Sequence, residues 1–437
     1  MKKIYAVILT LAIAVSAVGC GKSSKPEEHG QDGVVQIEFW YGLGGELGKT
    51  MENVIKEFND SQDRIEVIGV QQSSYDETKK MVQAAMASGT VPATTLLGYD
   101  ALNMFKGRGV LEPLDSYIEE DEDFQKEDYF ETFLEYCIDM EGQTIGLPVY
   151  GTTQVMYYRK DVFKEAGINP EDAFKNWQSL AEAAEKLTVV ENGETVFYGW
   201  EPMYDEMNLK DIAYSNGGDV LSEDGTKVTV NTPEWVEAWE SVRKWIHEDK
   251  IMRIHFGGDG WEYWYKTIDD VMQDRAAGYT GSSGDQGDLD FNKIAAHIQP
   301  GFNDNPPSPY ADALTCAVLS KASKEEKQAG FEWLTYLTSA ESTAKFSMKT
   351  GYIPVRKKAL EDEEFKKYLE EHPEAKVPIE QMEFSQMNFI DPTGGKILQA
   401  LADAADLVEI ENVPAQEALD KAQEIGQAAL DEYLSTQ

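Results

Sequence analysis

Val35-Gln36-Ile37-Glu38-Phe39 alternates apolar and polar side chains, the period of a half-buried strand. Gly44-Gly45-Glu46-Leu47-Gly48 then opens a helix with Met51, Val54, Ile55 and Phe58 on one face. Ile65 to Val70 reads as a second strand. Tyr75 to Ser88 reads as a second amphipathic helix, stopped by Gly89 and Pro92. Thr94 to Leu97 is a third strand. Strand and helix thus alternate from the start, which predicts an α/β fold with a parallel sheet and ligands at the carboxyl ends of its strands.

Downstream, Gly146-Leu147-Pro148-Val149-Tyr150 runs through Gly151 and Thr152 into Val155-Met156-Tyr157-Tyr158, an extended stretch able to carry the chain between lobes. Helices are expected at Lys160 to Ala166, Trp177 to Leu187, Pro233 to Glu248 and Lys324 to Leu337. Thr232 is a fitting N-cap for the third, whose buried stripe is Trp235, Trp239, Val242 and Ile246. Ala276 to Tyr279 is apolar and leads into Gly281-Ser282-Ser283-Gly284. Ala313 to Leu319 is a strand, and the tail from Gly394 is helical.

The chain has 437 residues, 42% of them hydrophobic and 11% aromatic, the composition of a packed globular body. That length exceeds one core, so two lobes are expected. The formal net charge is -40, with 79 acidic against 39 basic residues. Nucleic acid is not a partner for such a chain, because phosphate neutralisation needs Lys and Arg. An anionic bilayer repels it too, so any membrane contact must come through lipid.

The first residues point to such an anchor. Lys2 and Lys3 precede an apolar run from Ile4 to Val15, too short for a resident membrane span and fitting for an export signal. Ser16-Ala17-Val18-Gly19-Cys20 resembles a bacterial lipobox, although a leucine is commoner where Ala17 stands. The expectation is a signal over 1–20, lipidation of Cys20 and a polar, flexible tether over 21–33. Cys137 and Cys316 sit in apolar contexts and read as two buried thiols.

Several catalytic readings fail on spacing. Gly44 to Thr50 looks at first like a phosphate-cradling loop. The motif needs glycine at position 43, where leucine stands. Asp285-Gln286-Gly287-Asp288-Leu289-Asp290 lacks the Gly and Glu positions of a calcium loop and reads as a solvated turn. No nucleophile elbow occurs, and no Cys/His spacing suggests zinc. The expectation is no enzyme, no metal and no cofactor. A secreted glycosidase is the rival reading, since a carboxylate pair is always available in so acidic a chain. An adhesin or sensor-coupled binding protein is a third reading.

Aromatic side chains are the positive signal. Phe39-Trp40-Tyr41, Trp200 with Tyr204, and Trp261-Tyr263-Trp264-Tyr265 cluster at expected strand ends or loops. A sugar ring has an apolar face and a polar rim, which suits aromatic plates beside carboxylates and hydroxyls. Trp40 and Trp200, beside turn residues, stand out from the aromatics expected in the core.

Three strings carry a family resemblance. The first is Phe39-Trp40 with Gly45-Glu46-Leu47-Gly48-Lys49 and Phe58-Asn59. The second is Tyr157-Tyr158-Arg159-Lys160-Asp161 with Phe163, Ala166-Gly167 and Trp177. The third is Phe331-Glu332-Trp333-Leu334 with Thr338, then Thr350-Gly351-Tyr352-Ile353-Pro354-Val355. In their order and spacing the chain resembles the extracellular solute-binding proteins of ABC importers, in the group that takes sugars and glycerol phosphates.

The resemblance implies a two-lobed periplasmic-binding-protein fold of type II, each lobe a mostly parallel sheet flanked by helices. Residues 34–149 with 313–350 would form one lobe, and 150–312 with 351–437 the other. A three-crossing hinge would lie near 149–154, 310–313 and 350–354. It implies a monomer that closes on a small ligand and docks on the transmembrane subunits of a permease. Carried over by position, Tyr75, Asp76, Thr152, Trp200, Ser282, Ser283 and Tyr352 would face the ligand, joined by Trp40, Tyr41, Asp100 and Asp312. Two departures disfavour a phosphate. Asp312 stands where glycines are usual, and Pro392-Thr393-Gly394-Gly395-Lys396 offers a lysine in place of a bidentate arginine. A neutral carbohydrate is therefore the expected ligand, with glycerol-3-phosphate or its diesters as the alternative.

Overall fold

The computed structural model describes residues 33–139 and 141–436. The signal, Cys20 and the tether over 21–32 lie outside the described residues. The strands are β1 (Val35–Tyr41), β2 (Ile65–Gln71), β3 (Thr94–Leu97), β4 (Leu147–Arg159), β5 (Val189–Glu191), β6 (Glu194–Phe197), β7 (Gly278–Ser282), β8 (Ile294–His297), β9 (Tyr310–Val318) and β10 (Gln386–Met387). All but the β5–β6 hairpin join one curled sheet ordered β2-β1-β3-β9-β4-β7, with β10 beside β9 and β8 beside β4.

The opening stretch folds as its periodicity dictates. β1 pairs in parallel with β2 and with β3, and the helix Gly45–Ser61 buries Met51, Val54, Ile55 and Phe58. The helix Tyr75–Ser88 begins at Ser74, whose hydroxyl accepts from Glu77 N–H at 3.2 Å, and ends at Gly89 with φ +82°.

The sheet is mixed, where a mostly parallel one in each lobe is expected. β9 runs antiparallel to both β3 and β4, and β4 is antiparallel to β7 and β8. The cause is that β4 and β9 are crossing strands. β4 pairs with β9 as far as Thr153, then with β7 from Gln154 onward, so one strand serves both lobes. A third crossing is fastened to β4 where Gly151 and Ile353 exchange backbone hydrogen bonds of 2.8 Å.

Two large cores result. One gathers Ile37 to Val149 with Ala311 to Val355, including Phe39, Phe58, Tyr150 and Trp333. The other gathers Met156 to Tyr310 with Ile397 to Leu430, including Trp177, Trp200, Trp235 and Trp239. The helix Pro233–His247 contributes Trp235, Trp239 and Val242 to it, with Ile246 half-buried. Thr232 has extended backbone at its N-cap position but makes no side-chain cap bond. Cys137 and Cys316 are both buried and free.

Candidate functional site

The carboxyl ends of β1, β2 and β3 all open on one cavity of about 170 Å³, room for on the order of ten waters. Leu43 and Gly44 follow β1, Tyr75 follows β2, and Gly98, Tyr99 and Asp100 follow β3. This is where an open α/β sheet places its ligand. The opposite wall comes from Gln154 on β4, Ser282 at the end of β7, Asp285 and Asp288 on the following 3-10 turn, and Trp261, Trp264 and Tyr265 around the helix Glu262–Met272. Thr152, Asp312 and Tyr352 reach in from the three crossings.

The lobes touch across this cavity. The Trp261 indole donates to Gly42 O at 3.3 Å, and its ring meets Tyr75 edge-on at 5.2 Å. Gly45 has φ +53°, and a Cβ there would collide with the Tyr265 hydroxyl. Tyr352 stacks on Tyr150 at 4.1 Å, and Tyr150 on Phe346 at 5.0 Å. Gly284 leaves space for the Tyr352 ring that a Cβ would fill.

Polar groups are fixed in turn. Thr152 Oγ1 and Ser282 Oγ are 3.0 Å apart. Asp285 accepts from Trp264 Nε1 at 2.8 Å and Tyr279 Oη at 3.1 Å. Asp312 accepts from Ala313 N–H at 2.6 Å. Asp100 pairs with Lys79 at 2.9 Å. Burial holds the carboxyl of Asp285 up at about 8 and that of Asp312 at about 7, and it raises Asp288 as well.

Of the residues chosen from sequence, Tyr75, Asp100, Thr152, Ser282, Asp312 and Tyr352 come together here. Five do not. The period of β1 turns Tyr41 into the core with Ile37 and Phe39, while Trp40 packs on the opposite face and donates to Glu38 at 2.8 Å. Trp200 is fully buried, its indole donating to Thr280 Oγ1 at 3.1 Å, so it is a core residue and not a ligand platform. Asp76 points outward and pairs with Lys79 at 2.7 Å. Ser283 is fully buried and does not line the cavity, its hydroxyl donating to Thr152 Oγ1 at 3.4 Å. Lys396 is held at the surface by Glu432 at 2.6 Å and does not line this cavity.

The site residues expected from sequence omit the turn 42–45, Trp261, Trp264, Tyr265 and Asp285, all of which stand at the cavity or its edge. The clustering of Trp261, Trp264 and Tyr265 was their signal. The acidic run 285–290 reads as a solvated turn, yet Asp285 is only 6% exposed because Trp264 and Tyr279 donate to it.

Glu201, His255 and Asp270 bring ligand atoms within 4.8 Å of one another. Two guanidinium groups already occupy this cluster: Arg253 bonds Glu201 and Asp270, and Arg275 bonds Asp270. Burial raises Asp270, but His255, Arg275 and Arg253 together bring it well below the usual carboxylate range. A divalent cation would have to displace an arginine.

Residues 53–373 match the model of the bacterial extracellular solute-binding proteins. The chain belongs to that family. This solute-binding protein is 26% identical over 412 residues to the sn-glycerol-3-phosphate-binding periplasmic protein UgpB of Rhizobium meliloti, covering 90% of the chain and 94% of the relative. Its fold matches that of UgpB from Mycobacterium tuberculosis, solved with glycerophosphocholine, at a TM-score of 0.81 and 21% identity, over 92% of this chain and 100% of that one. It also matches an ABC substrate-binding protein from Listeria monocytogenes solved with cycloalternan, at 0.78 and 21%, over 92% and 99%. No helix among the described residues of this solute-binding protein is long and apolar enough to cross a membrane.

Proposed function

We propose that this protein captures a polyhydroxylated solute, a mono- or oligosaccharide, outside the cell and delivers it to an ABC importer without chemical change. The observation that supports this best is the lining of the cavity. Aromatic rings and carboxylates face it, and no Lys, Arg or His does among the described residues. Hydroxyl groups donate to carboxylates, and a sugar's C–H face packs on rings. A phosphate finds no cationic partner in such a wall.

The reading extends to assembly. Residues 34–149 with 313–350, and 150–312 with 351–437, move as lobes about the three crossings, and the closed monomer docks on the permease. Contacts to both walls favour closure once the solute is bound. Cys20 carries lipid and holds the protein at the extracytoplasmic face of the membrane. Loss of cell association in a Cys20→Ala variant tests the anchor separately.

A glycerophosphodiester is the second reading, supported by the glycerol-3-phosphate-binding relatives. Calorimetry against neutral sugars, glycerol-3-phosphate and glycerophosphodiesters decides between them. Saturable binding of phosphorylated ligands alone would overturn the carbohydrate reading. Product release from oligosaccharides by the purified protein would overturn the non-enzymatic one.

A further inference from the structure

The cavity is one-sided in its charge: carboxyl groups line it, and no Lys, Arg or His does among the described residues. Asp100, Asp285, Asp288 and Asp312 line it, and an ionised carboxylate only accepts. Gln154 lines it too, is 5% exposed, and its side-chain oxygen has no partner. Asp100 has the Lys79 ammonium. Asp285 has neutral donors instead, Trp264 and Tyr279 among them. Asp288 follows it by three residues on the same 3-10 turn, which puts both carboxylates on one side. The rings of Tyr75, Trp261 and Tyr265 stand in the same cavity, and ring faces attract cations.

We propose that the site selects a solute carrying an ammonium group, primary or quaternary, seated between the Asp285 and Asp288 carboxylates and the rings of Tyr75, Trp261 and Tyr265. The inference rests on the cavity being the solute site. A hydroxyl leaves Asp285 in its protonated, uncharged form, and a phosphate oxygen brings no donor at all, whereas ionising these buried carboxyls needs a cation beside them. An ammonium supplies both the donors and the charge. Two sources share that chemistry, an amino sugar and the head group of a glycerophosphodiester.

The binding is pH-dependent with a definite sign. Asp285 is faced by Asp288, Tyr157, Tyr265, Tyr279 and Tyr352, and Asp288 by Glu46, Lys49 and Tyr265. Burial keeps Asp285 protonated near neutrality, so a cation binds the deprotonated form and expels the proton. Affinity for a permanently charged ammonium therefore rises from pH 6 to pH 8.

Calorimetry with two matched pairs tests this: D-glucosamine against D-glucose, and glycerophosphocholine against glycerophosphoglycerol. In one pair the ammonium member should bind at least tenfold more tightly, with proton release at pH 7. Asp285→Asn should bring that ratio close to one. Asp288→Asn, at a half-buried position, does the same if the first variant fails to fold. Equal or tighter binding of the uncharged member in both pairs overturns the proposal. If D-glucose binds with no ammonium preference, the proposal falls and the carbohydrate reading stands. A preference confined to the glycerophosphodiester pair supports the proposal and removes the carbohydrate reading. Binding of none of the four overturns both.

Discussion

Asp285 and Asp312 are acids that the fold keeps from ionising, because burial raises both well above the 3.8 of a free aspartate. Between about pH 4 and pH 8 the folded chain therefore holds protons that the unfolded chain has released. Their contribution to stability is fully present below the unfolded value and is lost as pH rises through about 7 for Asp312 and about 8 for Asp285. Urea unfolding of the ligand-free protein should show stability from these groups falling between pH 5 and pH 8, with a shallower slope in Asp285→Asn. Trp200 and Tyr265 make the complementary case. Trp200→Ala opens a cavity in a full core and should cost about 3–5 kcal/mol of stability. Tyr265→Ala should leave the thermal midpoint nearly unchanged and weaken the true ligand about tenfold, since aromatic contacts are worth ~0.5–1.5 kcal/mol beyond their buried area. Calorimetry and thermal unfolding on both variants separate a packing tryptophan from a wall of the site. Position beside a turn was the sequence signal for Trp200, and it misled because Gly199 there serves close packing on Ala184, not access to solvent.

At the scale of elements, the turn after β1 is the most constrained part of the site. Gly45 combines a left-handed φ with contact to Tyr265 from the opposite lobe. Gly45→Ala should cost about 1–2 kcal/mol through backbone strain, and the added methyl should further raise the dissociation constant by impeding closure. Gly89→Ala is the control. It has the same left-handed backbone at φ +82° with open space around it, so it should lower the midpoint and leave affinity alone. Legibility divides along the same line. β1, β2, β3 and the helices between them follow from local periodicity, and Tyr75–Ser88 and Trp177–Leu187 fall where apolar spacing and terminal Ser or Asn place them. The insertion of β9 between β3 and β4 does not, because its register pairs Thr94 with Val318, and no local pattern encodes so distant a partner. The same separation hid half the site: Tyr75 and Trp261 meet only once the lobes are assembled.

For the whole molecule, closure has a built-in reporter. Trp261 bridges the lobes through Gly42 O and the Tyr75 ring. Ligand should reduce the radius of gyration in solution scattering and shift tryptophan emission, and Trp261→Phe should remove most of the emission shift while the scattering change remains. Cys316 on β9 and Cys137 at the end of the 3-10 turn 135–137 are buried in the first lobe, with burial pushing both thiols up. They should resist thiol reagents in the folded protein and react on unfolding.

The interleaving of the two cores also sets a timetable. The first core begins with Ile37 and is finished by Phe331 to Val355, while its central strand β9 arrives only at Tyr310. A chain emerging from its amino end must therefore wait, with β3 lacking its neighbour, until most of its length has appeared. Such late pairing slows folding. A protein built this way keeps its first lobe incomplete through most of its synthesis, which is the state a translocation channel requires of its cargo.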